Sequence, residues 1–161
     1  MTSQVLSTQS AAVVAFERLL RSHSTLSREF SARLVADHGL SITDYGALLL
    51  LSYAEGGAMR RVDLAERLLL TPSGVTRLLD GLERDGWVTK GSCESDARVT
   101  YAVLTDEGRE RLEAAGRSHI AQIREVFEER FSDEELETLV DLLGRLPGGT
   151  GYGESCSPRS D

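Results

Sequence analysis

Cysteine is almost missing from this 161-residue chain. Cys93 falls between two predicted strands and Cys156 in a glycine-rich tail, so neither a disulfide framework nor a cysteine-based metal site can be assembled. The fold must therefore rest on its core, and Cys93 reads as a free surface thiol. Histidine is nearly as scarce: His23, His38 and His119 give no H-x-x-x-H spacing, and neither a metal nor a cofactor is expected. Long apolar runs are missing too. Stretches such as Ala47–Leu51 fall far short of the ~20 residues that a membrane-spanning helix needs, and nothing basic precedes Arg18 to form a signal-peptide n-region. A cytoplasmic location is the expectation. No Ser-His-Asp set, carboxylate pair or phosphate loop is visible, which leaves an enzyme the poorest of the function classes.

Basic charge is in deficit. The formal net charge is −8, whereas a phosphate-binding surface usually leaves a basic footprint. Its distribution matters more than its sum, because residues 57–108 carry a net −2 and residues 109–143 a net −5. The acid lies mostly outside the segment that becomes the candidate reading head. With 40% hydrophobic and 27% charged residues the chain is of globular composition, and one domain is the prior at this length.

What is present is helical periodicity. Val13, Phe16, Leu20, His23, Ser27, Phe30 and Leu34 recur at spacings of three and four, predicting a long amphipathic helix from Ser10 to Val35. Ser41 with Asp44 forms a capping box, and Leu40 with Tyr45 a hydrophobic staple, for a second helix over Ile42–Ala54 that Gly56 and Gly57 stop. A short helix through Val62–Leu68 follows, then a turn at Leu69 and Leu70. Thr71 caps the next helix, Pro72 suits its first position, and Val75, Leu78, Leu79 and Leu82 give one apolar face. Ser73, Thr76, Arg77 and Asp80 lie on the opposite face. Trp87–Lys90 and Val99–Leu104 read as a hairpin, Thr105 opens another long helix, and Ser132 with Glu135 caps a last one that runs to Pro147.

A short helix, a tight turn, a capped helix and a hairpin in that order describe a winged helix-turn-helix. A helix of about two and a half turns enters a major groove only if its exposed side chains are small or hydrogen-bonding and its other face is anchored. Residues 71–82 meet both demands.

Five blocks then carry a resemblance: L-S-x-T-D-Y-x-x-L-L from Leu40, D-L-A-E-R-L from Asp63, T-P-S-G-V-T-R-L-L-D-G-L-E-R-D-G-W-V from Thr71, D-A-R from Asp96 and L-T-D-E-G from Leu104. Their order and spacing resemble the MarR family of transcriptional regulators over roughly Ser10–Leu146. The resemblance implies a mainly α fold with a small β-hairpin wing, in which a winged helix-turn-helix core (40–105) is flanked by dimerisation helices (10–39 and 106–146). Residues 1–9 are expected to be a flexible N-terminus. Residues 147–161, with four glycines between 148 and 153, are expected to be a disordered tail. The resemblance further implies a homodimer reading a pseudo-palindromic double-stranded DNA operator, with binding weakened by a small ligand or an oxidant; a repressor released by a small aromatic or weakly acidic effector is the expectation.

Carried over residue by residue, Ser73, Thr76 and Arg77 match the recognition-helix contacts, and Asp96 with Arg98 the wing motif. An Asp two residues before an Arg can hold the guanidinium extended for a narrow, electronegative minor groove. Where relatives commonly carry extra arginines after the first wing strand, this chain has Thr89, Lys90, Gly91, Ser92, Cys93 and Glu94. His23, Phe30, Tyr45 and Leu49 are the candidate effector contacts, although for His23 a buried histidine satisfied within the protein is the expectation. The alternative function is a winged-helix protein-interaction module without DNA binding, which the acidic balance favours and the pair Arg77 and Arg98 opposes.

Overall fold

The computed structural model describes residues 10–92 and 99–149. The expectations for residues 1–9, for most of the tail, and for Cys93, Asp96 and Arg98 therefore lie outside the described residues.

Helix α1 (Ala11–His38) runs three residues further than the periodicity predicts, and at about 1.5 Å per residue it spans about 42 Å. It ends where Gly39 takes the left-handed conformation (φ 70°) and donates its N–H to the Val35 carbonyl. Only Phe30 and Leu34 of α1 are buried. Helix α2 (Ile42–Tyr53) starts on the expected capping box: the Asp44 N–H donates to Ser41 Oγ (3.1 Å) and the Ser41 N–H to Asp44 Oδ2 (2.8 Å). It is the spine of the core, with Ala47, Leu48, Leu50 and Leu51 wholly buried. Each such leucine contributes about 1.5–3 kcal/mol by leaving water.

After α2, Gly56 (φ 63°) and Gly57 (φ 67°) turn the chain through the 3-10 turn Glu55–Gly57 into strand β1 (Ala58–Arg60). This strand is a departure from the expected two-stranded hairpin. Strands β2 (Val88–Ser92) and β3 (Thr100–Leu104) form the hairpin, and β1 pairs antiparallel with the other side of β3, giving the order β1-β3-β2 with Met59 opposite Ala102. Three residues show no alternation of their own, so only the neighbouring strand defines β1.

Helices α3 (Arg61–Arg67) and α4 (Pro72–Arg84) fold as expected, with Thr71 Oγ1 accepting from the Gly74 N–H at 3.1 Å and Pro72 at the first turn. Val75, Leu79 and Leu82 are buried, and Leu78 packs against the same core half-buried. Between the helices Leu69 adopts φ 54°, a conformation that disfavours leucine, while its N–H reaches Glu66 O and that of Leu70 reaches Ala65 O.

Helix α5 (Asp106–Glu128) is capped by Thr105 and packs on α1 and α2. Helix α6 (Asp133–Gly144) repeats the capping box with Ser132 and Glu135, and none of its residues is buried. No helix among the described residues is long and apolar enough to cross a membrane.

Candidate nucleic-acid interface

The inner face of α4 is anchored by its buried leucines, which turns Ser73 and Arg77 to the exposed side. Ser73 Oγ lies 3.2 Å from Thr71 Oγ1, beside the helix start. Among the described residues no carboxylate lies within ion-pair distance of Arg77. Two other cations of the head are neutralised locally. Arg60 grips Asp63 through two bonds of 2.7 Å, and Lys90 meets Glu83 at 3.0 Å. These one-to-one pairs leave the net charge of the head unchanged, while Arg77, exposed and without such a partner among the described residues, faces outward.

Thr76 differs from the simple expectation of a side chain open to DNA. Its hydroxyl donates to the Pro72 carbonyl at 2.7 Å and accepts from the Arg61 guanidinium, so its single proton is already committed. Arg61 escaped the sequence reading because the contact joins two helices across a turn, fifteen positions apart, and no periodicity within one helix signals it. Arg61 also lines a groove of about 580 Å³ with Arg60, Val62, Glu66, Leu70, Pro72 and Thr100, Glu66 not lying within ion-pair distance of it. Asp96 and Arg98 lie outside the described residues, between strand ends that the pairing of Ser92 with Thr100 brings together.

The candidate effector residues divide. Phe30 and Tyr45 come together edge-on around His119, at centroid distances of 5.3 and 4.9 Å. Leu49 packs half-buried against the core. His23 stands apart from them, contrary to the expectation that it is buried: it is exposed, with Nε2 3.5 Å from Ser27 Oγ, and lines a separate groove between α1, α5 and α6. The histidine that does sit inside is His119. Its place in phase with Leu112 and Ala115 is the signal that could have found it.

His119 is 5% exposed, and both its Nδ1 and the Oε1 of Gln122 one turn on are buried without a hydrogen-bond partner among the described residues. Nearby, His38 Nε2 lies 2.7 Å from Ser118 Oγ, and Arg111 donates to the His38 carbonyl at 3.3 Å while covering the Trp87 ring. Burial lowers the pKa of His119, because it penalises the charged imidazole, and raises that of the Tyr45 phenol.

A histidine kept neutral in the fold takes up protons more readily when unfolded. Its contribution to stability is therefore fully present above about pH 6.5 and is lost as the pH falls below that toward its lowered folded value. Thermal melts between pH 8 and pH 5 are expected to show a larger loss of stability for the wild type than for His119→Gln. Parallel losses would show that His119 is not held neutral.

The fold and this surface define a winged helix-turn-helix protein. The MarR family model matches residues 38–99. The chain is 39% identical over 111 residues to the HTH-type transcriptional repressor YetL of Bacillus subtilis, covering 69% of this chain and 66% of that protein's length. Sco5413, a MarR family transcriptional regulator from Streptomyces coelicolor, is 30% identical and superposes with a TM-score of 0.73 over 84% of this chain and 91% of its own. Sco3205 of the same organism, a MarR family regulator solved in complex with DNA, is 26% identical with a TM-score of 0.77 over 84% and 86% of the two chains. The chain belongs to the MarR family, and as such it is a DNA-binding transcriptional regulator and not an enzyme.

Proposed function

We propose that this regulator is a cytoplasmic, ligand-responsive repressor that binds a pseudo-palindromic operator as a homodimer, with residues 40–105 as the reading head and 10–39 and 106–146 as the dimerisation helices. The observation that carries the reading is α4 itself, anchored on one face and presenting Ser73 and Arg77 on the other. Arg77 reads the major groove, and Arg98, steadied by Asp96, enters the adjacent minor groove. Thr76 belongs to the same surface through Arg61.

The effector reading draws on the cluster of Phe30, Tyr45 and His119 between α1, α2 and α5, where His119 Nδ1 and Gln122 Oε1 are buried without a hydrogen-bond partner among the described residues. A small aromatic or weakly acidic compound lodging there acts only if it binds more tightly to the spacing of heads that cannot span two major grooves, and each tenfold change needs about 1.4 kcal/mol of that preference. Leu49 borders this region, whereas His23 would meet an effector only from the other groove.

The test is affinity for operator duplexes across a salt series, with flanks made A·T-rich or G·C-rich. Arg77→Ala is expected to cost about 1–3 kcal/mol per contact and to relax sequence preference at one position per half-site. Arg98→Ala is expected to weaken binding most on A·T-rich flanks, and Asp96→Ala to copy it in part. Wild-type affinity for Arg77→Ala and Arg98→Ala on every flank would favour a protein-interaction module instead.

A further inference from the structure

The internal bond between Thr76 and Arg61 has a consequence for how the head holds DNA. A threonine hydroxyl has one proton, and that of Thr76 goes to the Pro72 carbonyl one turn back. What it offers outward is a lone pair, and the Arg61 guanidinium takes it. Arg61 is the first residue of α3, so its stem starts on the supporting helix and its charge ends beside the second turn of the reading helix. It is half-buried, it borders the open groove between α3, α4 and β3, and among the described residues no carboxylate neutralises it. Its neighbour Arg60 shows the contrast, being held by Asp63 on the same helix.

We propose that Arg61 is a phosphate-binding residue of the DNA interface and that Thr76 is its positioning residue rather than a reader of bases. The inference rests on the DNA-reading surface described above. In a helix-turn-helix the supporting helix crosses the sugar-phosphate backbone while the second helix meets base edges, so a cation rooted at the start of α3 stands where the backbone passes. Phosphate contacts fix register and orientation and carry no sequence information of their own. A guanidinium already held by one neutral hydrogen bond keeps its full charge and loses little side-chain freedom when it takes a phosphate oxygen. The pair also ties α3 to α4 at the surface, so that a backbone contact made by one helix sets the depth of the other.

The experiment uses the full-length protein and duplexes that the wild type selects from a random-sequence pool, alongside unselected duplexes from the same pool. Arg61→Ala is expected to weaken binding to both sets by a similar factor, roughly tenfold, and to make the dependence of log affinity on log salt shallower by about 0.9 per protomer, with base preferences unchanged. Thr76→Val keeps the shape and removes the acceptor. It is expected to weaken binding about threefold in the wild type and to have no further effect on Arg61→Ala, because coupled residues are not additive. Arg61→Lys keeps the charge without the planar fork and is expected to retain the wild-type salt slope, with melting temperatures confirming that all variants fold. Wild-type affinity and salt slope in Arg61→Ala overturn the phosphate role. Full additivity with Thr76→Val, or a changed base preference in that variant, overturns the positioning role. A wild type that retains no duplex from the pool overturns the DNA-reading proposal itself, whereas selection by the wild type with an unaffected Arg61→Ala overturns this inference alone.

Discussion

Replacing Gly108 with alanine is expected to lower the melting midpoint by about 4–8 °C. Gly108 is buried in the first turn of α5, where the helix passes over the base of the wing. A Cβ built there would stand 2.1 Å from the Trp87 carbonyl oxygen and 2.9 Å from both the Trp87 carbonyl carbon and Leu104 Cδ1. Two of those three atoms are backbone, so no rotamer change relieves the overlap, and α5 must lift from the sheet. Overpacking of this kind costs about 3 kcal/mol or more, against about 1 kcal/mol gained by replacing a helical glycine. In a domain of this size about 1 kcal/mol moves the midpoint by about 2–4 °C, which sets the expected range. The same carbonyl accepts the Thr105 N–H at 3.1 Å, and Thr105 in turn caps α5 and donates to Gly86 O at 2.7 Å. The L-T-D-E-G block is therefore a joint between wing and long helix. Gly81→Ala is the control: its nearest neighbour is the flexible end of Arg84 at 3.7 Å, and the midpoint is expected to rise by about 2–4 °C. Equal behaviour of the two variants would refute the close approach at Gly108.

What the sequence made legible was local. The capping boxes at Ser41 and Ser132, the Thr71 cap and the inner face of α4 each depend on residues within one or two turns, and each is found where the pattern puts it. The parts that escaped depend on partners far along the chain. Strand β1 exists because β3 offers it an edge about forty residues later. His119 is buried because Phe30 and Tyr45 close over it, although its spacing from Leu112 and Ala115 already placed it on the inner face. Ile120, the apolar residue next to His119, is 49% exposed. The polar residues His119 and Gln122 take inner positions, which hid the true phase of the stripe. At the reading head, helical spacing puts Ser73, Thr76 and Arg77 opposite the apolar face; Ser73 and Arg77 are exposed, whereas Thr76 is half-buried and its hydroxyl already engaged, which only the fold reveals.

The double substitution Phe16→Glu with Leu143→Glu is expected to convert a dimer into a monomer at micromolar concentration and to reduce operator affinity about 100-fold or more. Phe16 is 60% exposed and Leu143 36%, and both line a groove of about 1120 Å³ between α1, α5 and α6 together with Leu19, Phe127, Leu139 and Leu146. An isolated helix of twelve residues is marginal in water, yet α6 carries an apolar stripe of which Leu136 and Leu139 are only half-buried and Val140, Leu142 and Leu143 are exposed. Exposed apolar surface of this extent marks an interaction site, and a second copy, pairing by two-fold symmetry, is the occupant the proposed function requires. Each carboxylate placed in such an interface costs several kcal/mol unless paired, enough to abolish association at ordinary concentrations. The operator loss follows from linkage rather than from any change in the reading head. Two joined heads bind the second half-site as an intramolecular event, which raises avidity by about 10²–10⁴. Neither residue belongs to the buried core, so the helical signal and the melting of the head are expected to survive. Light scattering and operator titration together decide the matter. A dimer that persists, or a monomer that grips a full operator as tightly as the wild type, would refute the placing of the dimer surface in this groove.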